Sequence, residues 1–336
     1  MSLFNLFNKP EDIAIDLGEA NTVIVHNGKV IINEPTIVAK RGNKILAAGN
    51  KAKQWAESLN DGVQIVFPMS DGVLCDYFAT EFLLKDLLTK AFGNCGSWGQ
   101  KFNMTIVVPP FMTEVELCGI RTIARNVGGR EVYMLFSPLA NAIGLGIDPL
   151  NYDCNLIVDV GYSTTLVSIV AHGGIVNCIS LRNGRNQLIE GFKKYWLDHF
   201  ELKIDDDMVL ECVKNINQAY LGVADIDRSN LLVRGKNCRS GLEEDHRVDY
   251  YGLNQGLNEW FHETATAISQ FLHDNSPKCK IMKRAYFAGS GPFLASLHEA
   301  LPATYKIEEV GTPQLVAAKG AYFALKHKER YSFFIS

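Results

Sequence analysis

Asp16-Leu-Gly-Glu-Ala-Asn-Thr22 is the stretch that decides the fold. It follows the apolar run Ile13-Ala-Ile15 and precedes Val23-Ile-Val25. A strand that ends in Asp-x-Gly and turns through small polar residues into a second strand can hold a phosphate, because glycine lets backbone amides approach the anion. The aspartate can carry Mg²⁺ through water. The same residues also close an ordinary hairpin. A second copy separates the two readings. Leu156-Ile-Val158 runs into Asp159-Val-Gly-Tyr-Ser-Thr-Thr165, so that Asp16, Gly18 and Thr22 fall on Asp159, Gly161 and Thr165 at one constant spacing. Each copy continues into a glycine turn and a further strand. Asn27-Gly28 lies between Thr22–His26 and Lys29–Asn33, and Gly173-Gly174 between Leu166–Ala171 and Ile175–Leu181. The pattern predicts an internal duplication, with a period far beyond that of solenoid repeats.

Composition agrees with two domains. The chain has 336 residues, 47% apolar and 21% charged, with a net charge of −4. That balance excludes the basic footprint of a nucleic-acid binder. The 8 cysteines are scattered without a C-x-x-C pair, which argues against a zinc site or a redox dithiol. Free thiols fit a reducing cytoplasm. No apolar run reaches the roughly 18 residues of a membrane span, and no signal peptide is evident. Leu3, Phe4, Leu6 and Phe7 recur at helical spacing before Pro10. They predict either a tail tucked on its own domain or left disordered, or an in-plane membrane anchor, each buried side chain contributing roughly 1.5–3 kcal/mol at most.

Further along, residues 34–70 read as a small inserted subdomain with short strands. Asp76–Phe92 is a helix by its apolar spacing. Ala91–Gln100 is a loop whose apolar tips are Phe92 and Trp98. Ile106–Val108 is a buried strand, and Thr113-x-x-Glu116 is a capping box opening a helix to Gly128. Val132–Leu135 and Leu139–Gly144 follow as a strand and a short helix. In the second half, helices are expected near Asn186–Phe200, Asp206–Ala219 and Leu253–His273, with a polar hairpin in Arg234–Asp249. About 190–240 forms a second insert. Ala285–Ala288 is a strand entering Gly289-Ser-Gly-Pro292, a glycine turn whose bare amides can accommodate a phosphate or a flat ring. Thr312-Pro313 caps a last helix.

These residues resemble the actin/hexokinase/heat-shock ATPase superfamily and, within it, the MreB family of bacterial actin-like filament proteins. The family's I-D-L-G-T-A-N-T is similar to Ile15-Asp-Leu-Gly-Glu-Ala-Asn-Thr22. Its N-E-P segment resembles Asn33-Glu-Pro35, its D-G-V-I-A-D-F resembles Asp71–Tyr77, its V-P-x-x-x-T-E-V-E resembles Val108–Glu116, and its G-x-R-E-V-Y resembles Gly128–Tyr133. The resemblance spans about Ile13 to about Lys326. It implies an α/β, actin-like fold: two duplicated domains with ribonuclease-H-like sheets, 1–150 and 151–312, facing a nucleotide cleft. The helix 313–327 is expected to pack back on the first. It also implies ATP and Mg²⁺ as ligands and self-association into filaments. The small inserts would make the contacts between protomers. The location implied is cytoplasmic, peripheral on the inner face of the cell membrane, with cell-wall elongation proteins as partners. Asp16 and Asp159 would hold Mg²⁺ through water. Gly18, Glu19, Ala20, Asn21, Thr22, Gly161, Tyr162, Ser163, Thr164 and Thr165 would surround the phosphates. Glu211, Gly289, Ser290, Gly291 and Pro292 would cradle the adenosine. Leu3, Phe4, Leu6, Phe7, Phe92 and Trp98 would touch the bilayer.

The departures from the family pattern shape the functional expectation. Glu19 stands for a threonine, and a carboxylate beside a triphosphate costs energy unless paired or turned away. Tyr162 and Ser163 replace glycines, so side chains and restricted φ threaten close amide approach. Ser137 replaces the carboxylate near the attacking water. Asn183-Gly-Arg185 replaces G-G-D, and Val213 replaces a lysine near Glu211. Two expectations follow: a filament protomer that binds ATP and hydrolyses it poorly, or a pseudo-ATPase whose cleft is filled by Glu19, Tyr162 and Arg185. The alternatives from other classes are a small-molecule kinase or another ATPase of the same fold.

Overall fold

The computed structural model describes residues 10–57, 62–93, 101–220, 227–275, 282, 284–289, 297, 301, 306–308, 311–332 and 334. Contacts divide the chain into two compact units. One is Met1–Tyr152 with Val170–Val176 and Thr312–Ser336; the other is Asp153–Ile169 with Asn177–Gly311.

The first unit contains β1 (Glu11–Leu17), β2 (Asn21–His26), β3 (Lys29–Pro35), β4 (Val38–Arg41), β5 (Lys44–Ala48), α1 (Gly49–Glu57), β6 (Gln64–Val66), β7 (Met69–Ser70), β8 (Val73–Leu74), α2 (Tyr77–Phe92), β9 (Phe102–Val108), α3 (Glu114–Asn126), β10 (Gly129–Phe136) and α4 (Ser137–Gly144). Its main sheet has the order β10-β9-β1-β2-β3. β10, β9 and β1 are parallel, while β1, β2 and β3 run antiparallel through tight turns. Asn27 and Gly28 both take positive φ, 50° and 72°, as a two-residue hairpin turn requires. Ile13, Ile15, Ile24, Met104 and Ile106 pack against Leu83, Leu87 and Leu88 of α2 and Ile120 and Ile123 of α3. Asp76 starts α2 by accepting the Ala79 N–H at 2.9 Å. The expected capping box is present at α3, where Thr113 and Glu116 exchange bonds. The insert forms a small sheet, β5-β4-β6, with Ala52 of α1 packed on Ala39 and Ala47.

The second unit contains β11 (Asn155–Val160), β12 (Thr165–Ala171) and β13 (Gly174–Leu181) apart from the Val170–Val176 segment, then α5 (Arg185–Phe200), β14 (Leu202–Lys203), α6 (Asp206–Tyr220), β15 (Leu231–Asn237), β16 (Glu243–Val248), α7 (Tyr250–Gln255), α8 (Asn258–Asn275), β17 (Arg284–Ala288) and β18 (Lys306–Glu308). Its sheet order is β13-β12-β11-β17-β18. Read position by position, this repeats β3-β2-β1-β9-β10 of the first unit, and β11, β17 and β18 are parallel as β1, β9 and β10 are. A second small sheet is β14-β15-β16. The chain ends in α9 (Val316–Lys326), which belongs to the first unit and packs on α4 and β1. The two helices cross backbone to backbone: a Cβ on Gly320 would come within 2.6 Å of the Gly144 nitrogen.

Three expectations need correction. The turn after β12 is His172-Gly173, at φ 54° and 87°, rather than Gly173-Gly174; a histidine can take the left-handed region where glycine follows it. The helix expected over Leu253–His273 is two helices. It breaks at Gly256, which sits under the Phe192 ring, 2.7 Å from where its Cβ would be. At the last helix, Thr312 caps nothing through its side chain, and Pro313–Leu315 forms a 3-10 turn before α9.

Candidate functional site

The two Asp-x-Gly loops have the same local geometry. Asp16 and Asp159 are half-buried near the ends of β1 and β11. After them, Gly18 and Gly161 each lie against the carbonyl three residues on. A Cβ would stand 2.8 Å from the Asn21 oxygen in the first loop and 2.8 Å from the Thr164 oxygen in the second. No side chain fits there without moving the backbone, so the sequence needs glycine at both. Thr22 and Thr165, the matched ends of the two loops, are fully buried. Their hydroxyls are already bonded: Thr22 with Thr36 at 2.9 Å, and Thr165 donating to the Asn183 carbonyl at 2.7 Å. Both threonines therefore tie the loop ends to the next strand or turn.

In the first loop, Glu19 accepts the Asp71 N–H at 3.1 Å, which holds it to the tight turn between β7 and β8. Ala20 accepts the Thr36 N–H at 2.9 Å, and the Asn21 amide donates to the Asn33 side chain at 2.8 Å. In the second loop, the Gly161 N–H closes onto the Thr164 carbonyl at 2.8 Å. Tyr162 and Ser163 keep negative φ. The tight turn itself needs glycine at 161, and it closes with Tyr162 and Ser163 in place.

The first turn of α5 is fastened to this second loop. The Arg185 and Asn186 N–H groups donate to the carbonyls of Gly161 and Tyr162, at 3.0 and 2.7 Å. Gly184 is the only residue type that fits, since a Cβ would lie 2.6 Å from the Ser163 carbonyl carbon. Below it, buried Asn183 donates to the Trp260 carbonyl at 3.1 Å and to the Thr264 hydroxyl at 2.9 Å, and the Trp260 indole donates to the Gly184 carbonyl at 2.9 Å. Trp260 and Thr264 sit on α8, far along the chain, and nothing in the sequence near the loops announces them. The Arg185 guanidinium lies 5.4 Å from the centroid of the Tyr162 ring. Burial pulls its pKa below the ordinary arginine value, against the favourable fields of Tyr162 and Asp206.

Other expected residues divide. Gly289 follows β17 at φ 98°, with the Asp159 side chain and the Val160 backbone crowding its Cβ position. Ser290, Gly291 and Pro292 lie outside the described residues, as do Leu3, Phe4, Leu6, Phe7 and Trp98. Phe92 is not a loop tip. It ends α2 and packs on His26 and Phe102, with ring centroids 5.3 and 5.0 Å away. Glu211 is exposed on α6 and lines an open depression of about 700 Å³ with Asp206, Lys193, Lys203, Arg234 and Lys236. Val213, at the family's lysine position, is fully buried in the core. Ser137 begins α4, and its buried hydroxyl has no hydrogen-bond partner among the described residues.

A family model described as MreB/Mbl protein matches residues 10–332. The chain belongs to the MreB/Mbl family. The cell shape-determining protein MreB of Escherichia coli (strain K12) is 29% identical over 318 residues, covering 91% of this chain and 88% of that protein. The cell shape-determining protein Mbl of Bacillus subtilis (strain 168) is 28% identical over 312 residues, covering 91% of each. Among solved structures, MreB5 of Spiroplasma citri bound to AMPPNP superposes with a TM-score of 0.81 at 20% identity, over 97% of this chain and 99% of that one. The MamK double helical filament gives a TM-score of 0.70 at 18% identity, over 96% and 99%. The duplicated α/β architecture is thus the actin-like fold that the MreB/Mbl motifs imply.

Cysteine chemistry offers a check on the second loop. Burial, with the Asp159 carboxylate adding to it, pushes the Cys178 thiol up to about 12. Burial, with Glu211 adding to it, does the same for Cys212. Since the thiolate is the reactive form, alkylation near pH ~8 should label the exposed Cys75, Cys118 and Cys238 first and spare Cys178 and Cys212. Mass spectrometry reads the order; native labelling of Cys178 as fast as Cys75 would contradict this placement.

Proposed function

We propose that this MreB/Mbl-family chain is the protomer of a cell-shape filament, that its two loops hold the phosphates of an adenine nucleotide, and that it hydrolyses the nucleotide weakly or not at all. The observation that carries the reading is the repeated loop: the same glycine against the same carbonyl at 2.8 Å in both units. Closed glycine turns after an aspartate fit a phosphate, whose oxygens are met by backbone amides. The family relatives support the cell-shape role, MreB5 with bound AMPPNP supports a nucleotide, and the MamK filament supports self-association.

The departures fit binding better than turnover. Glu19 is engaged by the Asp71 N–H, which lessens its repulsion of an incoming phosphate. Asp16 and Asp159 are the carboxylates that would hold Mg²⁺ through water, and the ion would supply charge to the phosphate oxygens. Ser137 is where turnover fails. A hydroxyl is a far weaker base than a carboxylate, and general-base assistance contributes roughly 10²–10⁴-fold.

Phosphate release and sedimentation test the reading together. The chain should pellet as filaments with nucleotide and release phosphate slowly, while Ser137→Glu should raise release at least about tenfold. A protein that stays monomeric at tens of micromolar, with and without nucleotide, overturns the filament reading. Release unchanged by Ser137→Glu overturns the assignment of that position.

Membrane contact, on the inner face of the cell membrane, is proposed on Leu3, Phe4, Leu6 and Phe7 first, with Trp98 beside them, while Phe92 packs on Phe102. Deleting residues 1–9 should abolish co-flotation with anionic liposomes. Flotation that survives the deletion contradicts it.

A further inference from the structure

The charge around the second loop differs from what the family pattern places there. Where the family has an acid after the glycine pair, this chain has Arg185. The residue is the first of α5, and its backbone is bonded to the Gly161 carbonyl at 3.0 Å, so its position relative to the loop is fixed. Its guanidinium lies 5.4 Å from the Tyr162 ring centroid, within the range of a cation–π contact. Tyr162 itself belongs to the loop, and its carbonyl takes the Asn186 N–H at 2.7 Å. Gly184, Asn183, Trp260 and Thr264 hold this corner from below through buried hydrogen bonds. The cation is therefore supported on the loop by the backbone and by an aromatic face.

An anion arriving at the loop would meet a delocalised charge that burial has made costlier than in water. Arginine suits that encounter, because its planar donors match phosphate geometry and it stays charged. A metal ion does the same electrostatic work by lowering the negative charge of the phosphates.

We propose that Arg185 is a phosphate-binding residue of this chain and that it takes over part of the charge neutralisation of Mg²⁺, so that nucleotide binds with little dependence on the metal. The proposal rests on the nucleotide reading above. It makes position 185 a specificity-determining site. The loop favours di- and triphosphates over nucleosides through a fixed cation, and Tyr162 serves as its support.

The test is equilibrium binding of a fluorescent ADP or ATP analogue by anisotropy, with Mg²⁺ or with EDTA, on the full chain. The wild type should bind in EDTA within about tenfold of its affinity in Mg²⁺. Arg185→Ala should lose roughly tenfold or more in EDTA and less in Mg²⁺, as loss of one buried charge contact predicts. Arg185→Lys keeps the charge but not the planar donors, and should lose affinity in EDTA by less than Arg185→Ala does. It also serves as the decisive variant if Arg185→Ala does not fold, in which case wild-type binding with and without metal still decides. Binding that requires Mg²⁺ in the wild type, or equal affinity of all three proteins in EDTA, overturns this inference and leaves the nucleotide reading standing. No binding in either condition overturns both.

Discussion

A glycine packed against the carbonyl oxygen three residues further on is the constraint on which the candidate site depends. At Gly18 and Gly161 the space for a Cβ is taken by that oxygen at 2.8 Å. The chain can make so sharp a turn between two strands only where no side chain has to be accommodated. The buried threonines Thr22 and Thr165 pin the far side of each turn. The order of strands around it is the same in both units, so one local solution has been used twice. What differs between the copies is the support: a small β7–β8 hairpin held by Glu19 in one, and the first turn of α5 in the other.

The altered residues therefore change charge more than shape. Tyr162 and Ser163 are accommodated at negative φ, and the loop still closes. Glu19 is bonded to a backbone N–H in the first loop, and Arg185 lies over Tyr162 of the second. Ser137 leaves the start of α4 in place.

Much of the fold was legible in the sequence, because its strongest signals are local. Asn27-Gly28, the two Asp-x-Gly stretches and the Thr113/Glu116 box each determine a few consecutive residues, and each appears in the structure. The misses were non-local. The bond from Asp71 to Glu19 spans 52 positions, and that from Asn183 to Thr264 spans 81. Neither partner carries a mark of the other. Gly256 reads as a tolerated helical residue until the Phe192 ring is seen above it. Phe92 reads as an exposed tip beside a glycine-rich stretch, yet the core reaches it through Phe102. Apolar character tells that a side chain seeks cover, and only the tertiary structure tells which cover it finds.

The central claim, as proposed, is that the chain binds an adenine nucleotide. Calorimetric titration of the purified chain with ATP and Mg²⁺ measures it most directly. The account predicts saturable heat at a single nucleotide per chain, with an accompanying rise in thermal stability. No heat and no thermal shift at millimolar nucleotide would contradict it.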